Sequence, residues 1–484
     1  MNLFLLSTFW RIKEKFVKMV KRKHTTKTET ESSTIHDFTM EETKEFRKKL
    51  VTWYNENKRD LPWRKQASNP DINQRAYAVW VSEIMLQQTQ VATVISYYNK
   101  WMKKWPTLQD LAKATLEEVN EAWSGLGYYS RGRRLFEGAK KVVEEMDGEM
   151  PKTADDLLKH LPGVGKYTAG AIASIAYRQA TGIVDGNVIR VICRMRKIGA
   201  DSTCQAVQEK LWQHANIVVD PDEPGDFNQG IMELGATVCT PKNPACEKCT
   251  VSRICLAYQE VVRDKDEKSN QFKKDQKETK FFQDIECCVD SCSLCLQNGD
   301  EYDNSLGVQN YPRKGKKKAA REERTRVCIV SKKTGTQTLY CIVQRPEKGL
   351  LASLWEFPSL TLQKEDSEEL TNQKLLQESC GLCVSSIVTS NHIGEVVHLF
   401  SHIHQTYIID SITVVDVNDD NCTKPVRWVT GEEFKESAIS TAMKKVFKAF
   451  ESAGDKTMKS PSSTKKKTID KNQPSINSFF KAKA

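Results

Sequence analysis

No apolar run in this chain is long enough to cross a bilayer. A spanning helix needs about 20 such residues, and the apolar opening MNLFLLSTFW stops well short of that. No secretory signal with a cleavage site is evident either. Without one, a disulfide framework is not expected, and the 15 cysteines, which cluster at metal-like spacings, read as thiols of a reducing compartment. Charge of one sign is not in large excess: 73 Lys and Arg against 63 Asp and Glu leave +10, which favours a polyanionic partner without identifying one. What is there, 484 residues with 39% hydrophobic and 28% charged, suffices for two globular domains plus polar tails. After the apolar opening, residues 11–23 carry Arg11, Lys13, Lys15, Lys18, Lys21, Arg22 and Lys23 beside one acid, Glu14, and the tail 1–37 reads either as a transit peptide or as a plain basic tail.

The rest is organised around residues 161–187, LPGVGKYTAGAIASIAYRQATGIVDGN. Leu161 closes an amphipathic run (Ala154, Leu157, Leu158), and Pro162-Gly163-Val164-Gly165 forces a turn whose glycines permit positive φ and close approach to a ligand. A helix opening at about Tyr167 would leave its first N–H groups free for one phosphate. Upstream, Phe46, Leu50, Trp53 and Tyr54 recur at helical spacing, and Arg59-Asp60-Leu61-Pro62-Trp63-Arg64 should end that helix at the proline. Ile84, Val91, Val94 or Ile95, Tyr98 and Trp101 share one face, which places Glu83 near the start of a long buried helix. Burial there would raise its pKa toward neutrality. After a helix over 226–238, Cys239, Cys246, Cys249 and Cys255 follow the pattern C-x6-C-x2-C-x5-C, able to close on one tetrahedral ion or one cubane cluster. Periodicity then vanishes over about 263–323, a linker holding Cys287, Cys288, Cys292 and Cys295, either a zinc half-site or unliganded thiols.

These motifs resemble the helix-hairpin-helix (endonuclease III) superfamily of DNA glycosylases, and SEIMLQQTQV with Val184-Asp185-Gly186-Asn187 resembles its adenine glycosylase branch, the MutY family. The resemblance implies an all-α glycosylase domain over 38–262, with the pattern of Cys239, Cys246, Cys249 and Cys255 as a [4Fe-4S] loop. It makes Glu83 the acid and Asp185 the stabilising anion, with Tyr167 and Asn187 holding them in place. Lyase members carry a nucleophilic Lys where this chain has Tyr167; Lys166 is one position off, about 100° around a helix, and should point away. Gly163 and Gly165 would grip a phosphate, and Gln88 and Tyr128 would wedge into the base stack. Trp63 and Leu61 would wall the base pocket. Packing within the helical core remains the plain alternative for Tyr128 and for Trp63. In animal members the linker holds a zinc clip whose fourth ligand precedes the catalytic domain, a place His36 occupies here. Lys242, Lys248 and Arg253 suggest a further phosphate contact.

Residues 324–455 begin with strand-like segments, and GLLASLWEFP resembles the Nudix-like domain that ends adenine glycosylases, giving an α+β multidomain chain. A working Nudix hydrolase would need a Glu-rich Mg2+ helix where this chain has KLLQESCGLC, so the domain should recognise rather than hydrolyse. Val396 to Ile409 alternates as one half-buried strand bearing His398, His402 and His404. Phe400-Ser401-His402 matches the family's 8-oxoguanine loop. The tail 456–484 ends in Gln473, Ile476, Phe479 and Phe480, spaced as in the motif that docks on the sliding clamp PCNA. Pro312-Arg313-Lys314-Gly315-Lys316-Lys317-Lys318 is a nuclear import signal or a solvated charge run. The reading is therefore a monomeric, non-membrane adenine glycosylase of base excision repair, acting on duplex DNA with adenine opposite 8-oxoguanine or guanine, expected in the nucleus, with the mitochondrion as a second compartment. Its rivals are an endonuclease III-like lyase and a non-catalytic, clamp-bound lesion binder.

Overall fold

A computed structural model describes residues 34–271, 292–295, 302–315, 319–362, 371–384, 386–415, 417–419 and 422–457. Most of the basic N-terminal tail, Cys287, Cys288, Lys316 to Lys318 and the motif of Gln473, Ile476, Phe479 and Phe480 lie outside them. The first helices are α1 (Met40–Asn57), α2 (Pro62–Gln66), α3 (Ile72–Leu86), α4 (Val91–Lys104), α5 (Leu108–Ala112), α6 (Leu116–Ala122) and α7 (Ser130–Glu145). They are followed by α8 (Ala154–His160), α9 (Lys166–Tyr177), α10 (Gly186–Met195), α11 (Gln205–Val218), α12 (Pro224–Thr237) and α13 (Leu256–Gln271). Strands β1 (Arg321–Thr334), β2 (Gln337–Gln344), β3 (Trp355–Glu356) and β4 (Ser359–Leu362) precede α14 (Asn372–Cys380). Then come β5 (Cys383–Val384), β6 (Ile387–Leu399), β7 (Ile403–Val414), β8 (Val417–Asn418), β9 (Val426–Val429), α15 (Gly431–Glu436) and α16 (Thr441–Thr457). Two compact units result: residues up to Glu83 with 149–316, and 84–148 with those from 317 on. Among the described residues no helix is long and apolar enough to cross a membrane.

In the first unit α1 opens on a capping box between Thr39 and Glu42 and buries Phe46, Leu50 and Tyr54, the stripe its spacing predicts. It stops at Asn57, four residues earlier than expected; Pro62 instead starts α2, where its missing N–H has no helical partner to lose. The hairpin α8–turn–α9 forms as predicted. Gly163 takes φ 77°, and Gly165, extended, is the N-cap of α9. Leu157 is buried but Leu158 is exposed, so the expected amphipathic run is narrower than it reads. Helix α9 packs through Ala169, Gly170, Ala171, Ala173 and Ala176, whose small size lets the following segment lie close: a Cβ on Gly170 would stand 3.0 Å from Ile183. Helices α10, α11 and α12 close the core around Val188, Ile192, Leu211, Phe227 and Ile231.

The second unit contains α4 to α7 and a mixed sheet in the order β3-β2-β1-β7-β6, with β4 added to β1 and β9 to β2. Strands β1 and β7 run parallel; the other pairs are antiparallel. Two sequence expectations are corrected here. The long helix bearing Glu83 near its start is broken: α3 ends at Leu86, α4 begins at Val91, and Glu83 falls in the last turn of α3. The break is made by Gln88 in the left-handed region (φ 54°) and by the buried Arg131, whose guanidinium takes the carbonyls of Ile84 and Met85 at 3.0 and 2.9 Å and that of Gln87. The single strand expected over 396–409 is a hairpin, with β6 ending at Leu399 and β7 starting at Ile403. Alternation holds on β7, where Ile403, Tyr407 and Ile409 are buried, and reverses on β6, where Val397 and Leu399 are exposed.

Candidate active site

Glu83 is buried at the end of α3, and Tyr167, in the first turn of α9, donates its hydroxyl to Glu83 Oε2 at 2.8 Å. The same hydroxyl lies 3.1 Å from Met232 Sδ of α12. Asp185 is the N-cap of α10. Its Oδ1 accepts the amides of Asn187 and Val188 at 2.9 and 2.8 Å, and its Oδ2 accepts Asn187 Nδ2 at 2.8 Å. Arg190 Nη2 holds Asn187 Oδ1 at 2.8 Å, which fixes the amide so that its NH2 faces Asp185. Gly235 lets α12 come this close, since a Cβ there would stand 2.7 Å from that of Asn187.

Burial pushes the Glu83 carboxyl up to about 7; the Tyr167 hydroxyl and Arg64 pull against this, and the Asp185 charge adds to it. Burial also raises Asp185, but three hydrogen-bond donors and Arg190 oppose the rise. Burial and the two carboxylates drive Tyr167 well above its ordinary value, so it stays a neutral donor. With one hydroxyl facing Glu83 and two backbone N–H groups at a helix N-terminus facing Asp185, a single proton shared by this site resides on Glu83. The arrangement pairs a neutral acid with an anion.

Beside it Glu233 of α12, buried, accepts Arg59 Nε and Nη2 at 2.6 and 2.8 Å and Arg64 Nη2 at 2.8 Å. Burial alone would raise this carboxylate, but the two guanidiniums hold it at about 2. The network fixes the chain through Leu61 and Trp63, both buried. Past α12, Cys239, Cys246, Cys249 and Cys255 line one cavity with Val191, Leu234 and Val238. The buried Arg194 donates to Cys239 Sγ at 3.3 Å and to Thr240 O at 2.8 Å. Among the described residues the close grouping of possible metal ligands is a different one: His36, Cys292 and Cys295, with ligand atoms within 4.8 Å of one another. His36 Nδ1 is hydrogen-bonded to Arg196 O at 2.8 Å and Nε2 lies 3.2 Å from Cys295 Sγ.

Residues 81–216 match the HhH-GPD superfamily base excision DNA repair protein family, and residues 326–449 match the NUDIX domain. The chain is 51% identical to the adenine DNA glycosylase of Mus musculus, over 90% of this chain and 84% of that protein. To the adenine DNA glycosylase of Homo sapiens it is 50% identical, over 90% and 81%. The chain belongs to the adenine DNA glycosylase family. A solved complex of the C-terminal domain of mouse MUTYH with human PCNA is similar at 33% identity, covering 33% of this chain and 99% of that one, with a TM-score of 0.25.

Elsewhere in this family member, the predicted DNA contacts Gln88, Tyr128, Gly163, Gly165, Ser401 and His402 lie at the surface, whereas Trp63 is buried. The hairpin turn presents the N-terminus of α9, whose N-cap Gly165 has no side chain to cap it, and Lys166 turns aside as expected, its Nζ 4.0 Å from the Trp212 ring centroid. Lys242, Lys248 and Arg253 are exposed. Gln88 is exposed, and Tyr128, at φ 47°, is 49% exposed, so it is not packed away as a core residue. Phe400, Ser401 and His402 form the β6–β7 turn, closed by Phe400 N–H to Ile403 O at 2.8 Å. That turn lines a cavity of about 310 Å³ together with Tyr128, Leu351 and Ser440. Three functional positions escape the sequence reading: Glu233, Arg190 and Arg131. Glu233 carries a signal that could have found it, an acid on the apolar helix 226–238 one residue after Met232; the other two act only through contacts distant in sequence.

Proposed function

We propose that this protein hydrolyses the N-glycosidic bond of adenine in duplex DNA, preferring adenine opposite 8-oxoguanine and accepting adenine opposite guanine, as a monofunctional glycosylase. The observation that carries the reading is the buried pair of a carboxyl raised to about 7, Glu83, held by Tyr167, and a helix-capping carboxylate, Asp185, held by Asn187, whose charge adds to the rise of Glu83. As the C1′–N9 bond breaks, its electron pair goes to the purine and Glu83 delivers a proton to N7, so the base leaves neutral. Asp185 offsets the positive charge left on the sugar, or bonds to C1′ transiently. The Glu83 carboxylate then takes a proton from the water that adds at C1′, which restores the acid. The lyase alternative needs an amine at Tyr167, and that side chain is a neutral phenol hydrogen-bonded to Glu83.

Two metal sites belong to this proposal. A single tetrahedral ion at Zn–S of about 2.3 Å would hold four thiols within about 4 Å of one another, and the four cysteines of the 239–255 loop are not grouped so tightly. Their spacing and their apolar cavity suit a [4Fe-4S] cluster, held by Cys239, Cys246, Cys249 and Cys255 and fixing the loop after α12. His36, Cys292 and Cys295 suit Zn2+, with the His36 ring oriented by Arg196 O and the fourth place falling to Cys287 or Cys288. Metal analysis of the purified chain should find about four iron atoms and one zinc; zinc lost on His36→Ala with iron retained separates the two sites, and a chain with no iron sinks the cluster. The C-terminal motif suits docking on PCNA, and the basic runs suit a nuclear chain with a mitochondrial fraction.

The deciding experiment is single-turnover base release from duplexes pairing adenine with 8-oxoguanine, guanine or thymine. Release should be fastest opposite 8-oxoguanine, slower opposite guanine and near background opposite thymine, with no borohydride-trapped crosslink. A trapped crosslink would establish the lyase instead, and equal rates on all three duplexes would remove the lesion from the reading.

A further inference from the structure

We infer that Ser124, Tyr129 and Lys444 tie the Tyr128 loop to the polypeptide that lines the lesion cavity, so that occupancy of the cavity sets how the Tyr128 ring enters the base stack. This rests on the proposed preference for adenine opposite 8-oxoguanine, with the lesion met by the Phe400-Ser401-His402 turn that lines the cavity. The connection is dense and entirely within the second unit. Tyr129, buried, donates its hydroxyl to Ile439 O at 3.3 Å and accepts the Gly125 amide at 3.2 Å. Ser124 Oγ donates to the same Ile439 carbonyl at 3.3 Å, and Lys444 Nζ, from the first turn of α16, donates to Ser124 Oγ at 3.0 Å. The loop is braced from behind by Tyr97, whose hydroxyl donates to Ser124 O at 2.8 Å. A Cβ on Gly125, which has φ 95°, would strike that hydroxyl at 2.5 Å, so the close approach there requires glycine.

Ile439 is not a neutral anchor. Ser440, Thr441 and Ala442, which follow it, line the cavity with the Phe400-Ser401-His402 turn. Ile439 itself is fixed by a bridge to Trp355, and Trp355 N–H donates to Ala438 O at 3.0 Å. Helix α16 packs on β6 and β7, the two strands that carry the turn. A purine that presses on the 400–402 turn therefore presses on one body with residues 439–444, and through them on residues 124–129. Tyr128 sits inside that last span in a left-handed conformation, its ring 5.5 Å from the Arg131 guanidinium. That conformation is one that few residues other than glycine adopt. The bond between Tyr129 and Ile439 transmits position because both residues are buried and lose their solvation if the geometry slips, and the half-buried Ser124 and Lys444 add two further points of attachment. The tie thus makes insertion of the ring depend on what occupies the cavity opposite the adenine.

The test uses the full-length protein carrying Ser124→Ala with Lys444→Met, which removes two of the hydrogen-bonding groups without emptying the core. Base release is measured under sub-saturating single-turnover conditions on A:8-oxoguanine and A:G duplexes, alone and combined with His402→Ala. The preference for A:8-oxoguanine over A:G should fall about 10-fold, with the A:G rate within about 2-fold of wild type. Adding His402→Ala should then cost little more than either change alone, because both interrupt the same signal. An unchanged preference, a parallel fall on both duplexes, or full additivity with His402→Ala each overturns the tie. If the double variant does not fold, Tyr129→Phe alone, which keeps the ring and deletes one donor, must lower the preference about 3-fold and be non-additive with His402→Ala, or the inference fails. A wild-type protein with no preference for the lesion would instead overturn the reading of the cavity.

Discussion

Glu83→Gln slows adenine release by about 10³-fold or more while duplex binding is retained. The amide has the shape of the carboxyl and can still accept the Tyr167 hydroxyl, so the site survives, but it cannot deliver a proton to the leaving base. Positioned proton transfer of this kind contributes about 10²- to 10⁴-fold, and in the proposed mechanism the same group also activates water. The pH dependence follows from the direction of the shift. The acid must be protonated, and burial pushes Glu83 up to about 7, so the single-turnover rate holds below that pH and falls about tenfold per unit above it. In the Gln variant that alkaline limb disappears. Stability falls with rising pH as well. Because the folded carboxyl binds its proton more tightly than the unfolded one, the stabilisation from protonation is fully present below about pH 4.5 and is lost as pH rises through about 7. At pH 8 the Gln variant should therefore be more stable than wild type by about 3 kcal/mol, with no such gain at pH 4.5. Thermal melts at the two pH values and rates across the range check both. A Gln variant within tenfold of wild type, or one that keeps the alkaline limb, removes Glu83 from the chemistry.

The chemistry of this site is more legible in the sequence than the path of the chain that builds it. Pro162 to Gly165 announces a turn because few residues tolerate the φ of 77° that Gly163 adopts, and Asp185 announces itself by standing before a helix at a capping position. The meeting of Glu83 with Tyr167 is implied only by resemblance, since no local rule brings residues 84 positions apart into hydrogen-bond contact. Where periodicity is the guide, it misleads in two places for one reason. Ile84 and Val91 stay in helical phase across the break at 87–90, and Val397 to Ile409 stays in strand phase across the 400–402 turn, so the pattern reads through both. What interrupts the first is Arg131, which supplies donors to the end of α3 from 44 residues further along the chain. The arginine has no mark in the sequence beyond lying in the Gly125 to Arg131 segment. The clustering of Cys239 to Cys255 is legible because all four ligands are local. The approach of His36 to Cys295 joins residues 259 apart, and only the family resemblance points to it.

Asp185→Asn separates two roles that the structure gives to one side chain, because asparagine caps helices about as well as aspartate. The substituted amide can still accept the backbone N–H groups of Asn187 and Val188. What it cannot keep is the bond from Asn187 Nδ2, because Arg190 holds the Asn187 oxygen on the far side and two NH2 groups would then face each other. That conflict costs about 1 kcal/mol, the worth of one hydrogen bond. The charge lost matters far more to the reaction. With Asp185 neutral, the cation that forms on the sugar loses the anion the proposed mechanism sets against it, and loss of one such stabilising group costs about 10²- to 10³-fold. The expected result is a variant melting within a few degrees of wild type whose base release is about 10³-fold slower. The acid limb of the wild-type pH profile, where Asp185 takes up a proton, should be missing from it. Asp185→Ala should lose the cap as well and be less stable than the Asn variant by about 1 kcal/mol, with no further loss of rate. If Asp185 only capped α10, the order would reverse: the Asn variant would release adenine at nearly the wild-type rate, and the Ala variant would be impaired in proportion to its instability.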